Sequence, residues 1–337
     1  MMAGQFGRLG LVASGGVLCA MLALPAARAG GTPAVAVAPD DPDATCTMIV
    51  ESAMVHVFDT RALPGAPTYV NDHTLVQAKD GSWHLFGIFH TEPMGDDTET
   101  DFIHAVASEP DPSKWGDGAF VAAASPYTIA LRAKRAIGET HAWAPHVVAA
   151  EDRYFMVYQG GGSDDYHASI RLAESADLYE WHRVADVPLF EDFCEARDPM
   201  LVHRDDVWAI HYTRCDSVTH KQSGVALRTS RDLVHWTEPM MAAVFDGTPS
   251  TSNSAYSESP FVFERGGYYW LSVTAYPLGW DATLLYRSRA PLAFPGVPFT
   301  RLRAHAAEWI FDERGRAWMT HAGPGQRGVW LSRIEGI

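Results

Sequence analysis

Three short stretches place an acid directly in front of an apolar run: Asp72 in "VNDH", Asp198 in "ARDP" and Glu258 in "SESP". A carboxylate at the mouth of a buried strand loses hydration, which is costly unless something there uses its charge. Crowding several such acids favours keeping a proton on one of them. A protonated acid beside an ionised one is the pair that cleaves a glycosidic bond. The acid protonates the leaving oxygen, because an alkoxide leaves poorly. The carboxylate on the opposite face activates a water or attacks the anomeric carbon. Taken singly, Asp72 is explained as a turn cap, Asp198 as an acceptor of backbone amides, and Glu258 as a partner of a neighbouring Arg. The three together point to chemistry, because they stand at matching points of a repeat.

That repeat sets the elements that must gather the acids. Each copy starts with a short polar signal, an apolar strand, a turn and an aromatic strand. The starts are "VNDHTLVQAKDGSWHLFGI", "HAWAPHVVAAEDRYFMVYQ", "CEARDPMLVHRDDVWAIHY", "SESPFVFERGGYYWLSVT" and "HAAEWIFDERGRAWMTHA". A third strand ends each copy, most clearly in "LAESADLYEWH" and "LRTSRDLVHWTE", more weakly in "AVASEPDPSKW", "LYRSRAPLAF" and "VWLSRIEGI". Turn chemistry such as Lys79-Asp80-Gly81 or Arg265-Gly266-Gly267 bounds the apolar runs. No long stretch carries a capped helical period.

Short antiparallel strands repeated five times predict an all-β fold, a five-bladed β-propeller around a central channel. The preceding segment "MIVESAMVHVFD" is expected to close the ring by pairing with the last blade. Trp181 and Trp236, after the Ser-x-Asp-Leu signals, are expected to pack between blades. Residues just before the innermost strands converge on the axis in such a fold. That converging set is Asp72, Trp143 with His146, Asp198, Glu258, and His305 with Glu308. Asp97, Glu99 and Asp101 in "MGDDTETDF" read as a solvated loop, and Asp164 and Tyr166 lie in a second loop, "QGGGSDDYH".

A formal charge of −15 argues against nucleic acid and anionic membrane as partners, since both would be repelled. It suits a neutral carbohydrate. The chain has no zincin, nucleophile-elbow, Walker or dinucleotide motif, so nothing in it requires a cofactor. Arg8, an apolar run and "ARAG" form a signal-peptide pattern over residues 1–29, with cleavage near Ala29, and predict a secreted or periplasmic protein free of the membrane afterwards. Residues 30–47 read as a flexible leader and 48–337 as the propeller. Cys194 and Cys215 flank the Arg204-Asp205-Asp206 turn, where a bridge and two free thiols are both compatible with the spacing. The oligomeric state leaves no mark in the sequence.

On these motifs the chain resembles the five-bladed β-propeller glycoside hydrolases, the broad set of families 43, 62, 32, 68 and 117, over about residues 60–337. "NDH" at 71–73 resembles the Asn-Asp-Pro of family 32, with His73 in place of Pro, and "RDP" at 197–199 matches that family directly. "ESP" at 258–260 lies closer to the Glu-Ala-Pro or Glu-Gly-Pro of family 43, which "WAP" at 143–145 also resembles. The resemblance implies Glu258 as general acid and Asp72 as base (family 43) or nucleophile (family 32). It implies that Asp198 orients the sugar and supports the proton on Glu258. Arg197 is implied either to position Asp198 or to contact substrate, and Asn71 and His73 of the motif, with the channel-facing Trp143, His146, His305 and Glu308, are the further candidate substrate contacts. Some enzymes of this kind hold an ion in the central channel, calcium or another, for which His305 is the candidate ligand. Arabinofuranosides or fructofuranosides, then xylosides, are the implied substrates. A non-catalytic sugar-binding propeller is the competing reading, and a transglycosylase or phosphorylase on the same fold is a third.

Overall fold

The computed structural model describes residues 49–63, 68–91, 98–161, 169–192, 196–215, 223–245, 257–275, 278–279, 281–323 and 326–337. They form five antiparallel sheets, each built outward from an inner strand. The inner strands are Thr68–Gln77, Trp143–Ala150, Arg197–Arg204, Ser257–Arg265 and Glu308–Phe311, of blades one to five. The signal peptide, the leader, Cys46 and Cys194, with Asp97, Asp164 and Tyr166, lie outside the described residues.

Two-residue turns connect inner to second strands where the sequence places turn chemistry. Asp205 and Asp206 (φ 49° and 59°) join Arg204 to Val207, and Gly266 and Gly267 (φ 61° and 76°) join Arg265 to Tyr268. Paired positive φ angles match the right-handed twist of the flanking strands. The Ser-x-Asp-Leu signals are self-capped turns. Ser175 Oγ accepts from the amides of Asp177 and Leu178, and Asp177 Oδ1 accepts from those of Tyr179 and Glu180. Ser230 and Asp232 repeat the arrangement in blade three. This turn carries the following Trp back over the neighbouring blade. Trp181 meets Phe86 of blade one edge-on at 5.4 Å, and Trp236 meets Phe190 of blade two at 5.8 Å.

The core is a set of layers between blades. Leu85 and Trp115 of blade one pack with Val329 of blade five, and Phe86 packs with Met156 and Trp181 of blade two. Further layers hold Ile170 with Leu201, Val225 with Leu271, and Trp270 with Trp309. Because every blade is buried on both faces, each inner strand's angle to the axis is set by its two neighbours.

The ring closes as the N-terminal segment predicts. Val50–Glu51 and Val55–Asp59 both pair antiparallel with Gly328–Glu335 of blade five. Gly328 (φ 131°) allows the approach: a Cβ there would lie 1.8 Å from the carbonyl oxygen of Phe58. Phe58 is 2 % exposed and seals the layer between blades five and one. Phe58→Ala should cost about 3–5 kcal/mol of unfolding free energy, measured by urea denaturation followed through tryptophan fluorescence. A loss below about 1 kcal/mol, the scale of an ordinary surface change, would mean that this closing strand does not hold the ring.

Candidate active site

The inner strands share an irregularity near their starts. In blade three Arg197 pairs with Thr213 and Met200 with His211, so Asp198 and Pro199 bulge together. The same break follows Val70 in blade one, Trp143 in blade two and Glu258 in blade four. Ala144, Asp198 and Ser259 take left-handed backbone there (φ 46°, 52° and 49°), as does Ala306 (φ 49°) just before the inner strand of blade five. A bulge redirects the side chains around it and ends regular pairing, which is how strand mouths present polar groups to the axis.

This register corrects one sequence expectation. Glu258 stands in the place of Arg197, and Ser259 stands in the place of Asp198. The three acids therefore do not occupy equivalent points, yet they converge, because the neighbouring residues link them. Ser259 Oγ donates to Asp72 Oδ1, and Ser259 N donates to Asp198 Oδ2 at 2.9 Å. Arg197 Nη2 donates to Glu258 Oε1 at 3.0 Å, with Arg197 Nε 3.5 Å from Asp198 Oδ2. Five residues from three blades thus form one connected network.

Asp198 is 7 % exposed and Glu258 9 %. Burial pushes the Asp198 carboxyl up to about 6; Arg197 and the Ser259 amide oppose this, and the nearby Asp72 charge reinforces it. Burial also raises Asp72, against the Ser259 hydroxyl and Arg197. The pocket is lined further by Pro145, Pro199 and Pro260, by His73 and His146, and by Glu308. Burial holds both imidazoles neutral, each near 3, and raises Glu308 well above the ordinary glutamate value despite its hydrogen bond with Thr74. His146, Met200 and Glu308 also border a second cavity of about 320 Å³ lined by Leu75, Val147 and Leu201, so they form the floor between the acid end and the rest of the channel.

The other sequence candidates divide. Arg197, His73, His146 and Glu308 belong to the site, although His73 Nε2 is engaged with Thr320 Oγ1 at 2.9 Å and His146 Nδ1 accepts from Leu201 N at 3.2 Å. Asn71 and His305 face each other: His305 Nε2 donates to Asn71 Oδ1 at 2.6 Å, and Gln326 Nε2 donates to the same oxygen. Trp143 stacks on His141 with centroids 3.6 Å apart, at the strand position that carries Arg197 and Glu258 in other blades. Glu99, read as a solvated loop residue, is 5 % exposed and accepts a hydrogen bond from Tyr69 OH. Asp101 opens a strand and pairs with Arg132. Burial alone does not make an acid catalytic. Glu139 is fully buried, but Tyr158 OH, Arg183 and the Lys134 amide surround its carboxylate in a structural cluster.

Ser259 was visible in the sequence only as a departure from a motif. Aligning "ESP" on "RDP" would have placed it opposite Asp198. Among the described residues no group of three His, Cys, Asp or Glu side chains is arranged to hold a metal ion, and Nε2 of His305, the candidate ligand, donates to Asn71 Oδ1.

Residues 120–297, more than half of the chain, match glycosyl hydrolases family 43. No curated protein sequence matches it. Among solved structures, a thermostable family-43 glycoside hydrolase is similar over 82 % of this chain and 92 % of its own, with a TM-score of 0.58 and 18 % identity. A GH32 β-fructofuranosidase from Bombyx mori covers 85 % of this chain, which spans 63 % of that enzyme, with a TM-score of 0.60 and 18 % identity. A GH43 β-xylosidase/α-arabinofuranosidase from a compost microbial metagenome, in complex with xylotriose, covers 85 % of this chain and 98 % of its own, with a TM-score of 0.57 and 13 % identity. These likenesses concern the propeller fold; the family match concerns the sequence, and by it the chain belongs to glycosyl hydrolase family 43 and is a glycosidase.

Proposed function

We propose that this glycosidase hydrolyses neutral pentosides, arabinofuranosides and xylosides, by an acid–base pair in the channel mouth. The convergence of Asp72, Asp198 and Glu258 through Ser259 and Arg197 carries the reading. Family membership and the activities named for the xylotriose-bound neighbour support pentosides ahead of fructofuranosides. The signal-peptide pattern supports an exported enzyme.

In this reading Glu258 protonates the leaving oxygen and Asp72 takes a proton from the attacking water, so the anomeric configuration inverts. Asp198 holds sugar hydroxyls and contributes the negative charge that helps retain the acid's proton. Arg197 lies between Asp198 and Glu258 and limits their mutual repulsion. The neutral imidazoles His73 and His146 add no positive charge to oppose the developing oxocarbenium ion.

A panel of 4-nitrophenyl α-L-arabinofuranoside, 4-nitrophenyl β-D-xyloside and sucrose, with the product anomer followed by proton NMR, tests substrate and stereochemistry together. Turnover of sucrose alone would refute the pentoside assignment. Glu258→Gln should lower the rate on an alkyl glycoside by roughly 10²–10⁴ and affect an activated aryl glycoside much less. Equal losses on both would remove Glu258 from the acid role.

The pH profile has a defined sign. Asp72 must be ionised to act as base, and burial raises it above the ordinary 3.8. Activity should therefore fall with decreasing pH through a limb lying above 3.8. Asp198→Asn removes a negative charge near the acid, so the alkaline limb of kcat/KM should move to lower pH. An unmoved alkaline limb would show that Asp198 acts only by holding the sugar.

A further inference from the structure

Ser259 donates to two of the acids. Its hydroxyl reaches Asp72 on blade one, 187 residues away in sequence, and its amide reaches Asp198 on blade three at 2.9 Å. The left-handed backbone at the bulge does not call for a hydroxyl. Ala144 and Ala306 take the same conformation on blades two and five, with φ 46° and 49° beside 49° for Ser259. The shape of the bulge explains the amide contact, whereas the choice of serine is explained only by what its Oγ touches.

We propose that Ser259 is a positioning residue, whose hydroxyl aims and holds the Asp72 carboxylate as the base while its amide anchors Asp198. This rests on reading Asp72 as the base. A hydroxyl donated to a carboxylate favours the ionised form, so Ser259 works against the burial that raises Asp72. The other groups facing Asp72 act in both directions. From blade three, Arg197 favours its charge and an ionised Asp198 opposes it; Glu308 of blade five, itself raised by burial and by the Asp72 charge, faces it as a neutral acid; Glu258 adjoins Ser259 on blade four, and His73 and His146 line the pocket as neutral rings. With the hydroxyl removed, Arg197 remains but cannot replace a donor aimed at one oxygen.

Ser259→Ala and Ser259→Gly remove the hydroxyl and keep the amide. Alanine already occupies this conformation in two other blades, and glycine adopts it without a steric penalty. Carbon-13 carboxyl NMR of aspartate-labelled protein, with the Asp72 resonance identified by its loss in Asp72→Asn, should show Asp72 titrating at higher pH in both variants than in the wild type. On whichever 4-nitrophenyl glycoside the wild type turns over, the acidic limb of kcat/KM should move up by the same displacement. The loss should be about tenfold on that limb, the worth of one hydrogen bond to a charged group, with a smaller loss at the plateau and KM little changed. An unshifted Asp72 resonance in both variants overturns the proposal, as does a loss of equal size at every pH. A wild type inactive on the whole panel would refute the pentosidase reading, while the NMR titration would still decide whether Ser259 governs Asp72.

Discussion

Like charges in a poorly hydrated pocket are the constraint on which the rest of this structure depends. Asp72, Asp198 and Glu258 would separate or neutralise if left alone, and both outcomes would abolish an acid–base pair. Here one guanidinium and one serine hold them in place. Arg197 contacts Asp198 and Glu258, and Ser259 contacts Asp72 and Asp198. The cost of the arrangement is visible in Asp198. Burial pushes its carboxyl from the ordinary 3.8 up to about 6, so its ionised form is less favourable there than in water. The layers between blades supply the stability that tolerates this.

The propeller suits that task because its rigidity lies off the axis. Large apolar side chains pack between blades and line the deeper channel, while polar groups stand at the strand mouths. The repeated bulge turns a common scaffold position into a variable one. Blades three and four use it for Asp198 and Ser259, whereas blades two and five fill it with Ala144 and Ala306 and leave room. Proline follows in blades two, three and four, which gives the pocket a wall without donors of its own. The three candidate acids thus lie on blades one, three and four, and Glu308 of blade five lies beneath them.

Much of the fold was legible because its signals are local. Turn pairs such as Asp205-Asp206, the self-capped Ser-x-Asp-Leu turn and the alternation of apolar runs each report a short-range requirement, and five repetitions of them leave few architectures. Trp181 and Trp236 were legible for the same reason, since a fixed offset from a capped turn fixes a direction. Glu99 was misread because a stretch dense in acids resembles a solvated loop, and only the distant Tyr69 gives its carboxyl a buried partner. The equivalence of the three acids was misread because Glu258 lies one position before the bulge, where Asp198 lies on it.

The amino-acid sequence by itself determined the repeat, the closing strand and which acids stand at the strand mouths, since these follow from turn chemistry, periodicity and charge along a few residues. Tertiary structure alone decided which atoms meet. That Ser259 reaches Asp72, that Arg197 divides its contacts between Asp198 and Glu258, and that Asn71 and His305 engage each other all depend on blade angles. Those angles are set by packing among side chains far apart along the chain, and no local pattern encodes them.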